Sequence, residues 1–281
     1  MRAIAIHSAI AGAVLFAGAV PAAQAPTQAP VQSSTRAIAL DNSASGMPTA
    51  ALKLPFGVGE RAEYEVKYGG IRMGNGHMEV VSRETIRGRD VLHTRFHIRG
   101  GPFFFKVDDR LESWIDPETM SSLRFRQELN EGSRDRERTF EFYHDRRTFL
   151  EIGKDAEEPS VPNPLDDASF IYFVRTVPLE VGQEYSFNRY FRPDRNPVKV
   201  RVLRRERIKV PAGEFDAVVV QPIINAKGIF AEGGHAEVWL SDDDRRVVLQ
   251  MKTRFAKISL SLHLKSYRPP TAPATQQDSL R

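Results

Sequence analysis

The chain has 281 residues, a formal charge of +4 and no cysteine. With 41% hydrophobic and 27% charged residues, it is too apolar for a wholly disordered chain and too charged for a bundle of membrane helices. The lack of cysteine excludes disulfides, thiolate metal sites, cysteine nucleophiles and iron–sulfur clusters, and leaves no cysteine to carry a lipid anchor.

In chain order, Met1-Arg2 is followed by an apolar run over residues 9–20 and then by Pro21-Ala22-Ala23-Gln24-Ala25. This is the layout of a cleavable secretory signal over residues 1–25, cut after Ala22 or after Ala25. The apolar run falls short of the roughly 20 residues that a membrane span needs. Removal of residues 1–25 takes one arginine and no acid, so the balance stays mildly basic and gives no reason to expect nucleic acid as a partner. The predicted location is the periplasm. Residues 26–50, rich in Ala, Pro, Ser, Thr and Gln, read as a disordered linker, and residues 268–281, with Pro269, Pro270 and Pro273, as a disordered tail. Residues 51–267 are then a single folded β domain without internal repeats.

Within that domain the period-2 pattern dominates. Ala62, Tyr64, Val66 and Tyr68 alternate with Glu63, Glu65 and Lys67, as one buried and one wet strand face require. Gly69-Gly70 and Gly74-Asn75-Gly76 read as turns. Further strands are predicted over 77–82, 92–99, 104–115, 123–129, 139–143, 148–152, 184–191, 198–210, 214–222, 235–240, 247–255 and 258–267. The short turns between them imply antiparallel pairing, because a parallel pair needs a long crossover. One segment breaks the pattern: Asp166-Asp167 caps a predicted helix over 168–176, preceded by Pro164 and ended by Pro178. Phe170, Phe173 and Val174 give it an apolar face. The fold class expected is mainly β: a large curved antiparallel sheet or half-open barrel with one docked α-helix.

Several of these pieces together resemble an exported bacterial family, the domain of unknown function 3108 (DUF3108), over residues 54–267. They are Gly59-Glu60 with Tyr64, Val66 and Tyr68; Gly70-Ile71 and Gly74; residues 108–114; Pro164 with Asp166 to Arg175; Pro178-Leu179 and Gly182; Pro211-Ala212-Gly213 with Phe215; and Trp239-Leu240-Ser241-Asp242 with Arg245 to Val248. The resemblance implies an exported β-rich protein whose curved sheet is similar to that of periplasmic lipoprotein carriers. It carries over no catalytic residue.

The chemistry-bearing residues offer little for catalysis. His93 and His97 share a strand face, but Arg95 stands between them and would repel a metal ion; all three are expected to face solvent. Asp242-Asp243-Asp244 lacks the spaced ligands of a calcium loop and reads as a hairpin turn. There is no nucleophile elbow, phosphate loop or dinucleotide fingerprint, so neither a cofactor nor an enzyme is expected. The basic stretch Arg201, Arg204, Arg205, Arg207 and Lys209 reads as a solvated strand face paired with acids such as Glu206 and Glu214. The most suggestive feature is apolar. Phe103-Phe104-Phe105 cannot all enter one core from one strand, and Trp114, Phe170, Phe173, Phe230 and Trp239 could join them around a cavity in the sheet's concave side. The first expectation is therefore a non-enzymatic envelope protein that binds a lipid or other apolar ligand there. A module docking an envelope protein through a strand edge is the alternative. A glycan hydrolase comes next, needing two convergent carboxylates, and an outer-membrane barrel ranks last.

Overall fold

The alternation read above builds strands wherever it persists. In a computed structural model, which describes residues 37–39, 54–101, 106–224, 235–255 and 258–271, fifteen strands make one sheet. They are β1 (Ala37–Ala39), β2 (Arg61–Tyr68), β3 (Ile71–Ile86), β4 (Arg89–Gly100), β5 (Val107–Ile115), β6 (Ser122–Glu131), β7 (Arg134–Tyr143), β8 (Thr148–Glu151) and β9 (Glu158–Pro159). After the helix α1 (Ser169–Val174) come β10 (Glu184–Phe187), β11 (Val198–Val210), β12 (Gly213–Ile223), β13 (His235–Ser241), β14 (Val248–Phe255) and β15 (Ile258–Arg268). The spatial order is β1-β10-β11-β12-β13-β14-β15-β2-β3-β4-β5-β6-β7-β8-β9. Two antiparallel meanders, β2–β9 and β10–β15, are thus joined by the pairing of β15 with β2. Among the described strands β1, which falls in the segment read as a linker, is the one that pairs in parallel, through Ala37, Ile38 and Ala39 opposite Glu184, Tyr185 and Ser186.

The two ends of this sheet curl toward each other. The chain before α1 bridges them: Leu165 donates its N–H to Arg189 O at 2.6 Å and accepts from Phe191 N at 3.0 Å. Rings from both ends then meet, with Phe149 of β8 lying 5.1 Å from Phe191, and Phe140 and Phe142 of β7 each 5.5 Å from it. Edge-to-face and tilted contacts of this kind add to the apolar burial of each ring. The expected curved sheet with one docked helix is therefore what forms.

Helix α1 is shorter than the 168–176 predicted, and it lies inside the curl. All six of its residues are buried. A helix this short has no stability of its own, so the sheet holds it. Asp166 caps it as expected: its Oδ1 accepts from Ala168 N at 2.8 Å and Ser169 N at 2.7 Å. Its other oxygen accepts from Ser113 Oγ on β5 at 2.6 Å. At the other end Arg175, 2% exposed, meets Glu60 at 2.7 Å and donates to Arg245 O at 2.9 Å. Tyr172 completes the docking by donating its hydroxyl to Glu79 O at 3.0 Å.

Gly74-Asn75-Gly76 is not a turn. β3 runs straight through it, and Gly74 sits opposite Gly100 of β4. A Cβ on Gly74 would come within 2.3 Å of Arg99 O, and one on Gly100 within 2.4 Å of Met73 O. The glycines are there so that two strands can approach closely, the other use of glycine within a strand. At the C-terminal side the chain stays attached past β15, where Thr271 donates its N–H to Val58 O at 2.9 Å.

Candidate functional site

Of the residues expected to line an apolar cavity, four are described: Phe170, Phe173 and Trp239 fall in the main buried cluster, and Trp114 in a second one. Phe170 and Phe173 belong to α1, and Phe173 packs edge-to-face on Phe187 with ring centres 4.9 Å apart. Trp114 lies on the outer face of β5, stacked at 4.3 Å on His93 with the rings nearly parallel, among Ile86, Val91 and Leu123. Its indole N–H donates to Glu84 at 2.7 Å. Trp239 repeats this device on β13: it donates to Glu206 at 2.6 Å under the guanidinium of Arg204. Each tryptophan therefore covers its own strands and donates to its own glutamate. Phe103, Phe104, Phe105 and Phe230 lie outside the described residues.

The outer face holds what the sequence did not single out. Because Ala62, Tyr64 and Val66 turn inward, Arg61, Glu63, Glu65 and Lys67 turn outward, and register sets their neighbours. One row across the strands reads Lys252, Ser261, Lys67, Arg72. Another reads Glu63, His77, His97, Arg110. A third alternates in sign: Arg61, Glu79, Arg95, Glu112, Arg126. The β-bulge between Leu264 and Ser266 of β15 puts Lys265 out of register beside the second row.

Between these rows lies a cleft of about 400 Å³, lined among others by Arg61, Arg72, Arg99, Lys265, His77 and His97. Its volume falls in the range of small-ligand sites. The two imidazoles meet edge-to-face at 5.2 Å. His97 Nε2 is 2.6 Å from Asp108, and His77 Nε2 is 3.5 Å from Glu79. The hydrogen bond from His77, joined by Arg61, holds Glu79 down at about 2, and the bond from His93, joined by Arg95, does the same for Glu112. Asn75 accepts from Arg72 at 3.0 Å and so keeps the guanidinium over the cleft. The cleft wall carries Glu63 as its acid, itself bonded to Arg61 at 3.2 Å.

His93, Arg95 and His97 share the outer face, but His93 does not reach solvent there as expected. His93 is 8% exposed, because the Trp114 ring covers it and Glu84 and Glu112 bracket its nitrogens at 3.1 and 3.2 Å. Among the described residues no group of three or more His, Asp or Glu side chains is arranged to hold a metal ion. The aspartate run is a turn, with Asp243 Oδ1 accepting from Arg245 N and Arg246 N. The basic stretch on β11 is ion-paired: Arg204 with Glu206 and Glu237, Arg205 with Asp242, Arg207 with Glu214.

One serine–histidine contact lies on the same outer face, His263 Nε2 at 3.0 Å from Ser261 Oγ. Burial and the nearby Lys67 push the imidazole below its ordinary value. Among the described residues no carboxylate is hydrogen-bonded to His263, so the third member that orients a catalytic triad is missing.

Helical membrane spans are likewise missing: no helix among the described residues is long and apolar enough to cross a membrane. Comparison with known proteins adds the following. No curated protein matches the chain. Among solved structures, a β-barrel-like protein of the domain of unknown function DUF1849 from Brucella abortus aligns at 12% identity with a TM-score of 0.48, covering 77% of this chain and 99% of that one. A candidate lipoprotein of Parabacteroides distasonis aligns at 11% identity and 0.35, over 76% and 97%. A candidate exported protein with a YmcC-like fold from Bacteroides fragilis aligns at 8% and 0.31, over 78% and 99%. At TM-scores below 0.5 these likenesses carry no inference about this chain. The model of the family described as "Protein of unknown function (DUF3108)" matches residues 63–264, from the second strand to the last, and the chain belongs to that family.

Proposed function

We propose that the protein is exported and works in the cell envelope as a non-catalytic binding protein, with its ligand held in the outer cleft between β15, β2, β3 and β4. The observation that carries this reading is the contrast between the two faces. The concave side is occupied by α1, whose six residues are all buried, and by the ring cluster around Phe191. The outer side offers a cleft of about 400 Å³ lined by hydrogen-bond donors. Export is supported by the signal-like residues 1–25 and is compatible with a cysteine-free chain that needs no oxidative folding. The alternative of a lipid or other apolar ligand in the concavity would require α1 to leave its bonds to Glu79 and Glu60.

Protein purified from its own envelope without detergent tests both parts. The mature N-terminus is expected at Ala23 or Pro26, and native mass spectrometry is expected to give the mature chain without a retained long-chain lipid. A stoichiometric lipid that shields α1 from hydrogen exchange would overturn the outer-cleft reading in favour of the concavity. An intact Met1 would overturn export.

A second reading has its own observation. The β10 edge accepts β1 in parallel, so it is competent to receive an added strand. An envelope protein docking there would compete with residues 37–39.

A further inference from the structure

We infer that the outer cleft recognises a phosphate-bearing anion; this rests on the outer-cleft reading above and names its ligand class. The first support is the donor set. Arg61, Arg72 and Arg99 present guanidinium forks, Lys265 a flexible ammonium, and His77 and His97 imidazole nitrogens; Glu63 is the carboxylate on the wall, and Glu65, Glu79 and Asp108 meet these groups from beside it. Guanidinium forks match phosphate oxygens two at a time, and a lysine adds a mobile point charge.

The second support is which of these cations remain available. Arg61 is engaged by Glu63 and Glu79. Arg99 is 78% exposed at its side chain and touches Asp108 only at 3.4 Å. Arg72 is 52% exposed and meets Glu65 at 3.3 Å. Exposed pairs of this length hold little free energy and exchange readily for a better acceptor. Lys265 makes no ion pair within 4 Å among the described residues, although its charge helps to hold the Glu63 carboxyl below its ordinary value. Arg61 is tied to Glu63 and Glu79, and Arg72, Arg99 and Lys265 are the cations open to an incoming anion.

The third support is the surroundings. The row Glu237, Lys252, Ser261, Lys67, Arg72 runs along the same face with three cations against the one acid Glu237. A polyanion or an anionic head group approaching this side meets a positive field before it reaches the cleft. The stretch on β11, equally basic in sequence, leaves no cation without an acid as Lys265 is left in the cleft: Arg201 meets Glu184, Arg204 Glu206, Arg205 Asp242, and Arg207 and Lys209 share Glu214.

Backbone amide shifts of the full-length mature chain, titrated in parallel with inorganic phosphate, with phosphatidylglycerol vesicles, with phosphatidylcholine vesicles and with a neutral disaccharide, test this. Phosphate is expected to shift amides of Asn75, His77, His97 and Arg99 saturably. Arg99→Gln with Lys265→Gln is expected to weaken that binding about tenfold or more. Arg207→Gln with Lys209→Gln, which removes the same charge on β11, should leave it unchanged. Binding of phosphatidylglycerol but not of free phosphate would keep the phosphate class and assign it to a lipid head group; saturation by free phosphate would assign it to a soluble phosphate compound. Equal losses in both double variants would reduce the effect to overall charge and overturn the inference. Shifts confined to the cleft with the neutral sugar alone would also overturn it, while leaving the cleft a binding site. No cleft shift with any probe would overturn the inference and the outer-cleft reading together.

Discussion

Asp109 is 3% exposed on the inner side of β5, with its Oδ1 held by Asn130 N at 3.0 Å. Burial, reinforced by the neighbouring Glu131, pushes its carboxyl up to about 7; burial pushes the capping Asp166 up to about 6. Both folded values lie above the ordinary 3.8, so between those limits the folded chain holds protons that the unfolded chain has released. These two groups therefore lose stabilising effect as pH rises from about 4 to about 7. Glu79 and Glu112, held at about 2, run the other way: their contribution is complete above 4.5 and is lost as pH falls toward 2. Asp109→Asn keeps the acceptor for Asn130 and removes the charge. It should be more stable than the parent at pH 8 by roughly 1–3 kcal/mol and equal to it near pH 4, measured by urea unfolding across that range. Parallel pH profiles for the two proteins would contradict the assignment. The cap at Asp166 was legible in the sequence because it stands between Pro164 and an apolar run. The burial of Asp109 was not, since nothing local marks which face of β5 turns inward at its polar end.

At the scale of elements, α1 and the β3–β4 pair show where local pattern stops being informative. The helix was recognisable from Asp166, Pro164 and Pro178, but its apolar face alone did not say that every side would be covered. It is, because the sheet curls around it and the bridge through Leu165 closes the remaining side. Phe170→Ala should therefore cost about 3–5 kcal/mol, as for a ring removed from a packed core, with unfolding read by far-ultraviolet circular dichroism. A cost below about 1 kcal/mol would mean that Phe170 lines open space, as the concave-ligand expectation required. In β3, Gly74 and Gly76 look like turn residues in sequence. Their role appears only when Gly100 arrives opposite, from a strand more than twenty residues away. Trp114 and Trp239 were grouped with the helix because they are large and apolar. Their indole N–H groups and the glutamates across the sheet decide the other face.

The whole molecule hangs on the pairing of β15 with β2, which joins its two meanders. Each meander is built from neighbours in sequence, but this seam is closed by residues about 200 positions apart. Such long-range pairing slows folding and makes it collective. A chain ending at residue 257 loses β15, so β14 and β2 both gain an open edge and the cleft loses Lys265. Hydrogen exchange should then show protection lost in β2 and β3 as well as in β13 and β14. Retained protection of β2–β8 would mean that the first meander folds alone.

By itself the sequence determined the fold class, most strand positions, the helix and its cap, and the family to which the chain belongs. Those features rest on side-chain alternation, turn chemistry and capping, all of which act within a few residues. Only the tertiary structure decided that α1 is buried inside the curl, that His93 lies beneath Trp114, and that Arg72, His77, Arg99 and Lys265 share one outer cleft. Those outcomes depend on register, on a single bulge in β15 and on the curl that brings the sheet's ends together, and none of the three is set by any one strand.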